Sequence, residues 1–285
     1  MRGAFYATSR GMNKPHKPIS EAPTSGMVRP DRPRSFGRLA SRMTAAEQAA
    51  LDARLAAHSI TLTPGASASL ELAPLFAAPA TGPLLVELGV GKGAQILARA
   101  KANPTHRFIA CEVFRNGLRS LVGGIEKTGV TNLKIYPDDA RNLLAALPTG
   151  SVDQLLVLYP DPWPKARHKK RRLVQAPLLD EAQRVLAPGG TLLLVTDVVD
   201  YALWMLHAVY DHGYFFPLAI SPAEWAEAPA GWVSTGYERK ALKEGRRPFY
   251  LQLRPKAELP QQAHNTGAAT AAEGGPEEVP EKGGE

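Results

Sequence analysis

The segment Tyr159-Pro-Asp-Pro-Trp-Pro-Lys-Ala-Arg-His-Lys-Lys-Arg-Arg-Leu-Val-Gln175 places one carboxylate, Asp161, ahead of six cations: Lys165, Arg167, Lys169, Lys170, Arg171 and Arg172. Pro160, Pro162 and Pro164 fix φ at alternate positions and push the residues before them towards extended geometry, so the loop is stiff and helix is disfavoured until about Lys165. A rigid carboxylate is therefore presented. The cations behind it have a density that suits a polyphosphate backbone. Either feature alone has a plainer reading, because basic runs are often solvated faces and Asp beside Pro is common in turns.

The elements predicted around this segment give it a place. The apolar run Val152 to Leu158 has the length of a buried strand, which puts Asp161 where a strand leaves the sheet and where open α/β sheets bind ligands. Leu84 to Leu88 is a second such run, followed by Gly89-Val-Gly-Lys-Gly93 and a helical pattern through Ala100. Strand, glycine loop and helix open a nucleotide-binding unit in which Gly89, Gly91 and Gly93 let a ligand approach the backbone. The glycine order is not that of a phosphate-cradling loop, which argues against an NTPase. The next strand, Arg107 to Val113, contains Glu112 at its end, nineteen residues after Gly93, where a carboxylate can accept hydrogen bonds from an adenosine ribose. Asn132 to Tyr136 runs into Asp138 and Asp139, and Thr191 to Val195, entered through the turn Pro188-Gly-Gly190, runs into Thr196 and Asp197. Any one of these acids could be a cap or a solvated charge; five strands in succession end at or near one.

Helical patterns at Asn116 to Lys127, Arg141 to Leu147, Pro177 to Leu186 and Tyr201 to Asp211 alternate with these strands, which specifies a doubly wound α/β fold with a mostly parallel sheet. Pro217 to Ile220 and Pro248 to Leu253 are predicted to add two terminal strands, with Thr235-Gly-Tyr-Glu238 between them. Thr44 with Glu47 three residues on predicts a capped short helix ahead of the sheet. Trp225 and Trp232 read as packing residues.

Of 285 residues, 34 are Lys or Arg and 27 Asp or Glu, a net charge of +7. The last thirty hold six Glu against two Lys, leaving about +11 on the remainder and pointing to an anionic partner. Residues 1–34 read as a disordered basic arm, 35–255 as one folded domain and 256–285 as a disordered acidic tail. Arg34, Arg38 and Arg42 carry the basic character to the edge of the fold and read as solvated charge. Cys111 is the single cysteine, which excludes an intramolecular disulfide and a Cys-rich zinc site and fits a reducing compartment. With no signal-peptide core and no run approaching eighteen apolar residues, the expectation is a cytoplasmic protein without membrane contact. The oligomeric state is left open.

With the segment 159–175, the loop Val86-Glu-Leu-Gly-Val-Gly-Lys-Gly93 and Thr196-Asp197 taken together, the chain resembles the bacterial tRNA (guanine-N7)-methyltransferases over roughly residues 34–253. The resemblance implies a class I, Rossmann-like S-adenosylmethionine fold with a seven-stranded sheet whose last strand is antiparallel, tRNA as partner, and methyl transfer to N7 of a guanine. Matched by motif, Glu87, Glu112, Asp139 and Asp161 fall on cofactor positions, Asp161 also on the proposed catalytic residue, and Lys165, Asp197, Thr235, Tyr237 and Glu238 on tRNA-contacting positions. No metal is implied. The family commonly has Thr-Lys-Phe-Glu where this chain has Thr235-Gly236-Tyr237-Glu238, which removes one possible phosphate or base contact. On the residues alone three rivals stay open: a class I methyltransferase for another RNA or a protein, a non-catalytic RNA-binding protein on the same fold, and a nicotinamide dehydrogenase using Glu112 for its ribose.

Overall fold

The structure, a computed structural model, describes residues 33–37, 43–62 and 69–256. The arm up to residue 32, Arg38, Arg42 and the tail beyond 256 lie outside the described residues. Strands β1 (Leu84–Leu88), β2 (Arg107–Cys111), β3 (Leu133–Tyr136), β4 (Val152–Leu158) and β5 (Leu186–Thr196) run parallel. β7 (Phe249–Pro255) pairs antiparallel with β5 on one side and with β6 (Phe215–Pro217) on the other. Among the described residues this makes one seven-stranded, mostly parallel sheet, as expected, in the order β3-β2-β1-β4-β5-β7-β6.

Helices α1 (Ala45–Ala56), α2 (Ala94–Ala102) and α3 (Arg115–Thr128) pack on one face; α4 (Ala140–Ala146), α5 (Ala176–Val185) and α6 (Val199–His212) pack on the other. The period of two along β1 divides its side chains between the two cores: Leu84, Val86 and Leu88 face α4 to α6, while Leu85 faces α2 and α3. Glu87 follows Leu85 by that alternation and is the carboxylate in an apolar layer. Strand order reverses at β1, because β2 and β3 lie to one side of it and β4 and β5 to the other. The crevice between the carboxyl ends of β1 and β4 is thus the switch point at which sheets of this kind bind ligands, and it brings the Gly89 to Gly93 loop next to the turn that carries Asp161.

Thr44 caps α1 in the predicted box, with its hydroxyl accepting from the Glu47 N–H and the Glu47 carboxylate accepting from the Thr44 N–H. Two local expectations need correction. The sixth strand is Phe215–Pro217 and not Pro217 to Ile220, because Phe215 fills the core whereas Leu218 and Ile220 are exposed. β5 begins five residues early: Leu186 already pairs with Val152, and the Pro188-Gly-Gly190 stretch is absorbed as an irregularity before Thr191 meets Gln154. Residues 222–243 contain two further helices, α7 (Pro222–Trp225) and α8 (Gly236–Lys243), each opened by a Ser or Thr capping box.

Gly93 is the N-cap of α2 at φ +75°, and a Cβ there would fall 2.4 Å from Cδ1 of Leu121 on α3. Gly93→Ala is expected to lower stability by about 1–3 kcal/mol, from the strained backbone and the displaced leucine together. Urea denaturation at unchanged slope measures it.

Candidate active site

Glu112, just past β2, is buried and is held by three backbone donors: the Gly91 N–H reaches Oε2 at 2.6 Å, and the Val113 and Phe114 N–H groups reach Oε1 at 2.8 Å each. Burial raises its pKa, the Phe114, Gly91 and Val113 donors oppose that, and the charge of Asp161 adds to it. A carboxylate offers about four lone pairs, so one remains for a ligand. Glu87 is 2% exposed and its Oε2 has no hydrogen-bond partner. Burial pushes its pKa up to about 8, with Arg99 of α2 pulling it down and Glu112 pushing it further up. Above Gly89 a Cβ would meet nothing within 4 Å, so the loop faces open space. Asp139 caps α4 and is engaged locally by Arg141, whose N–H, Nε and Nη2 lie 3.0, 2.9 and 2.5 Å from its oxygens.

The turn after β4 is anchored at its start by the Tyr159 N–H on Val195 O, 2.8 Å. Tyr159 and Trp163 both have positive φ, 49° and 42°, so Asp161 sits between two residues in the left-handed region. Asp161 is among the exposed residues, yet the crowding around its carboxyl raises its pKa, with the Gly37 N–H opposing. That Gly37 contact, at 3.1 Å to Oδ2, belongs to a strap that the sequence patterns do not reveal. Residues 33–37 cross the carboxyl ends of three strands: Pro33 O accepts from Arg141 at 3.2 Å, Ser35 O accepts from the Trp163 indole at 3.2 Å, and the Phe36 ring meets Phe114 edge-on at 6.4 Å. Pro33, which the sequence reading assigns to the arm, therefore lies against the folded residues. No hydrophobic period marks so short a piece of chain, which is why it is legible only in three dimensions.

The six cations behind Asp161 do not form one surface. A 3-10 turn over Ala166–Arg171 separates them. Lys165, Arg167 and Lys170 are exposed; Lys169 pairs with Asp200 at 2.9 Å, and the Arg171 guanidinium lies 5.0 Å from the centroid of the Trp163 ring. Arg172, expected to bind phosphate with the rest, is buried with a side chain 0% exposed.

On the far side of the crevice Thr235 is the N-cap of α8 and accepts from the Glu238 N–H at 3.0 Å. Glu238 is buried and accepts from the Trp232 indole at 2.8 Å, from the Thr235 N–H at 3.1 Å and from the Tyr250 hydroxyl. Burial would raise its pKa, but donors from Tyr250, Trp232, Ser234 and Thr235 outweigh that and lower it. Glu238, expected among the tRNA-contacting positions, thus has its carboxylate turned inward, where it ties α8 to β7. The Thr-x-x-Glu spacing that predicts the cap at Thr44 is present here too and is the signal that could have found it. Asp197 pairs with Arg246. Tyr237 is 69% exposed, lies near-parallel to Tyr159 at 6.4 Å between centroids, and reaches over the glycine loop, where a Cβ on Gly91 would come within 3.8 Å of its ring. Glu112, Gly91, Tyr237, Tyr159 and Asp161 thus border one crevice. A cavity of about 630 Å³, with Arg99, Asp153 and Arg254 in its walls, opens at the opposite ends of the strands and contains none of the predicted site residues.

A protein family described as "Putative methyltransferase" matches residues 81–251. The tRNA (guanine-N(7)-)-methyltransferase of Rhodospirillum rubrum is 39% identical over 266 residues, covering 92% of this chain and all of that one. The enzymes of the same name from Roseobacter denitrificans and Rhizobium johnstonii are each 41% identical, over 236 and 220 residues, covering 80% and 77% of this chain and 97% and 93% of theirs.

The Glu87 carboxyl yields a pH-dependent outcome. Its folded pKa near 8 lies above the ordinary 4.5, so its contribution to stability is fully present below about pH 4.5 and is lost as pH rises through about 8. Glu87→Gln, which stays neutral, should match the wild type near pH 5 and exceed it by a few kcal/mol above pH 8, at roughly 1.4 kcal/mol per unit. Paired denaturation curves across that range give the difference directly.

Proposed function

The chain belongs to the tRNA (guanine-N(7)-)-methyltransferases, and from that premise we propose that the crevice between the carboxyl ends of β1 and β4 is where it transfers a methyl group from S-adenosylmethionine to N7 of a guanine in tRNA. The cofactor, when bound, supplies a methyl group activated by a sulfonium charge. The residues present fit it: Glu112 keeps a lone pair for a ribose hydroxyl, Glu87 has a buried oxygen without a donor, and Gly89 leaves open space for close approach. The same reading assigns Gly91, Gly93 and Asp139 to the cofactor side of the crevice. No helix of the described residues is long and apolar enough to cross a membrane.

Guanine N7 carries its lone pair in the ring plane, so no base is needed to remove a proton. The base becomes cationic as it is methylated, and the carboxylate of Asp161 stabilises that charge from a fixed position. The single observation that carries this reading is Asp161 held between two left-handed residues at the switch point, beside Glu112. Tyr237 and Tyr159 offer a near-parallel pair of rings on which a base can stack. Lys165, Arg167 and Lys170 hold phosphates and set position, while Thr235 and the Asp197–Arg246 pair fix the loops around the substrate.

Two outcomes test the assignment. Asp161→Asn should lower single-turnover methylation of unmodified tRNA by on the order of 10²-fold while tRNA affinity stays close to wild type, because shape is kept and charge is removed. Mass analysis of nucleosides from the reacted tRNA identifies 7-methylguanosine, and a wild-type rate in the mutant would reduce Asp161 to a turn residue. Neutralising Lys165 and Lys170 together should flatten the slope of log affinity against log salt by about 0.7–0.9 for each phosphate that the protein no longer neutralises. Titrations at several salt concentrations measure that slope.

A further inference from the structure

Six residues, Tyr159 to Pro164, form the turn that presents Asp161, and three of them are prolines with no N–H to donate. Beyond the Tyr159 N–H that anchors its start, such a turn must be held through its carbonyls and side chains. Its conformation also needs holding, because the left-handed φ values of Tyr159 and Trp163 persist only where the surroundings over-determine them. The carbonyl between those two strained positions and directly after Asp161 is that of Pro162. It accepts from Nε of Arg172 at 2.9 Å.

Arg172 is itself fixed on every side. Its Nη2 pairs with Asp200 at the start of α6, and its guanidinium carbon lies 4.8 Å from the centroid of the Tyr201 ring and 5.0 Å from that of Trp204. The same two aromatics hold the chain that follows it: the Tyr201 hydroxyl accepts from the Val174 N–H at 3.3 Å, and the Trp204 indole donates to Val174 O at 2.8 Å. Nη1 is buried without a hydrogen-bond partner. The pair is buried on the arginine side only, since the Asp200 side chain is 56% exposed, and a half-solvated ion pair with a buried donor left unsatisfied is a poor device for stability. A planar fork that can point one N–H at a carbonyl while another meets a carboxylate is a good device for position.

We infer that Arg172 is the positioning residue of the catalytic turn: it clamps Pro162 O to the rigid start of α6 and so fixes where Asp161 stands. It is a member of the basic run by sequence and not an RNA contact. The inference rests on the reading of Asp161 given above, and its test includes a signal that does not depend on methyl transfer.

The test compares wild type, Arg172→Lys, Arg172→Ala and Asp200→Asn by single-turnover methylation, tRNA binding and 19F NMR of protein labelled with 5-fluorotryptophan, the Trp163 resonance being assigned with Trp163→Phe. Arg172→Lys keeps the charge and loses the fork. It should slow methylation by about tenfold to a hundredfold, the scale of a displacement near 1 Å, while tRNA affinity is retained and the Trp163 resonance shifts or broadens. Methylguanidinium added to Arg172→Ala should restore part of the rate. Asp200→Asn alters an exposed partner and should move the same resonance less, which keeps the test decisive if the Arg172 variants do not fold. An unmoved Trp163 resonance in folded variants overturns the clamp, whatever the activity. Weakened tRNA affinity with an intact rate at saturation also overturns it and makes Arg172 an RNA contact. A moved resonance with Asp161→Asn fully active would uphold the clamp and refute the role of Asp161 instead.

Discussion

Tyr159 and Trp163, both held at positive φ, bracket Asp161 in a turn with three prolines, and the neighbouring structure is arranged to keep that turn in place. Non-glycine residues in the left-handed region cost on the order of 1–3 kcal/mol each, so the turn would relax if it were not gripped. Four contacts from three elements grip it. β5 takes the Tyr159 N–H, Arg172 takes Pro162 O, the strap takes the Trp163 indole through Ser35 O, and Gly37 donates to Asp161 itself. The prolines lower the entropy that this ordering costs, because a chain already limited in φ has less freedom to lose on folding.

Around the turn, three carboxyls are gathered where burial outweighs the donors and the cation that oppose it. Glu87, Glu112 and Asp161 all have raised pKa values, each chiefly through burial or crowding of the carboxyl, and Glu87 also feels the charge of Glu112. Structural carboxylates elsewhere behave in the opposite way: those of Glu47, Asp52 and Asp200 are lowered by the donors that pair with them. A crevice that keeps three carboxyls above their ordinary range is prepared for a cation. Both the sulfonium of the cofactor and the base that acquires its methyl group meet that description, which links the electrostatics of the fold to the reaction.

The cations show how much residue type alone leaves undecided. Lys165, Arg167 and Lys170 remain exposed, Lys169 is paired, Arg171 lies over an aromatic ring and Arg172 is interior, although all six stand within eight residues. Three-residue periodicity in the 3-10 turn sends neighbours in different directions, and only the position of α6 determines which of them meets Asp200. Net charge therefore signals a partner correctly while overstating the surface that meets it.

By itself the sequence determined the strand and helix alternation, the glycine loop, the acids at the strand ends and the identity of the turn, because these rest on short-range rules: hydrophobic period, proline geometry and glycine freedom at Gly93. The capping box at Thr44 was legible on the same terms, and the one at Thr235 has the same spacing although only the structure drew attention to it. Tertiary structure alone decided that Pro33 to Gly37 crosses the site, that Glu238 faces inward to Trp232 and Tyr250, that Phe215 and not Ile220 completes the sheet, and that Arg172 serves the turn. Most of those depend on a partner far away in the chain, 124 residues in the case of Gly37 and Asp161, and no local pattern encodes which distant carbonyl or carboxylate a side chain will meet.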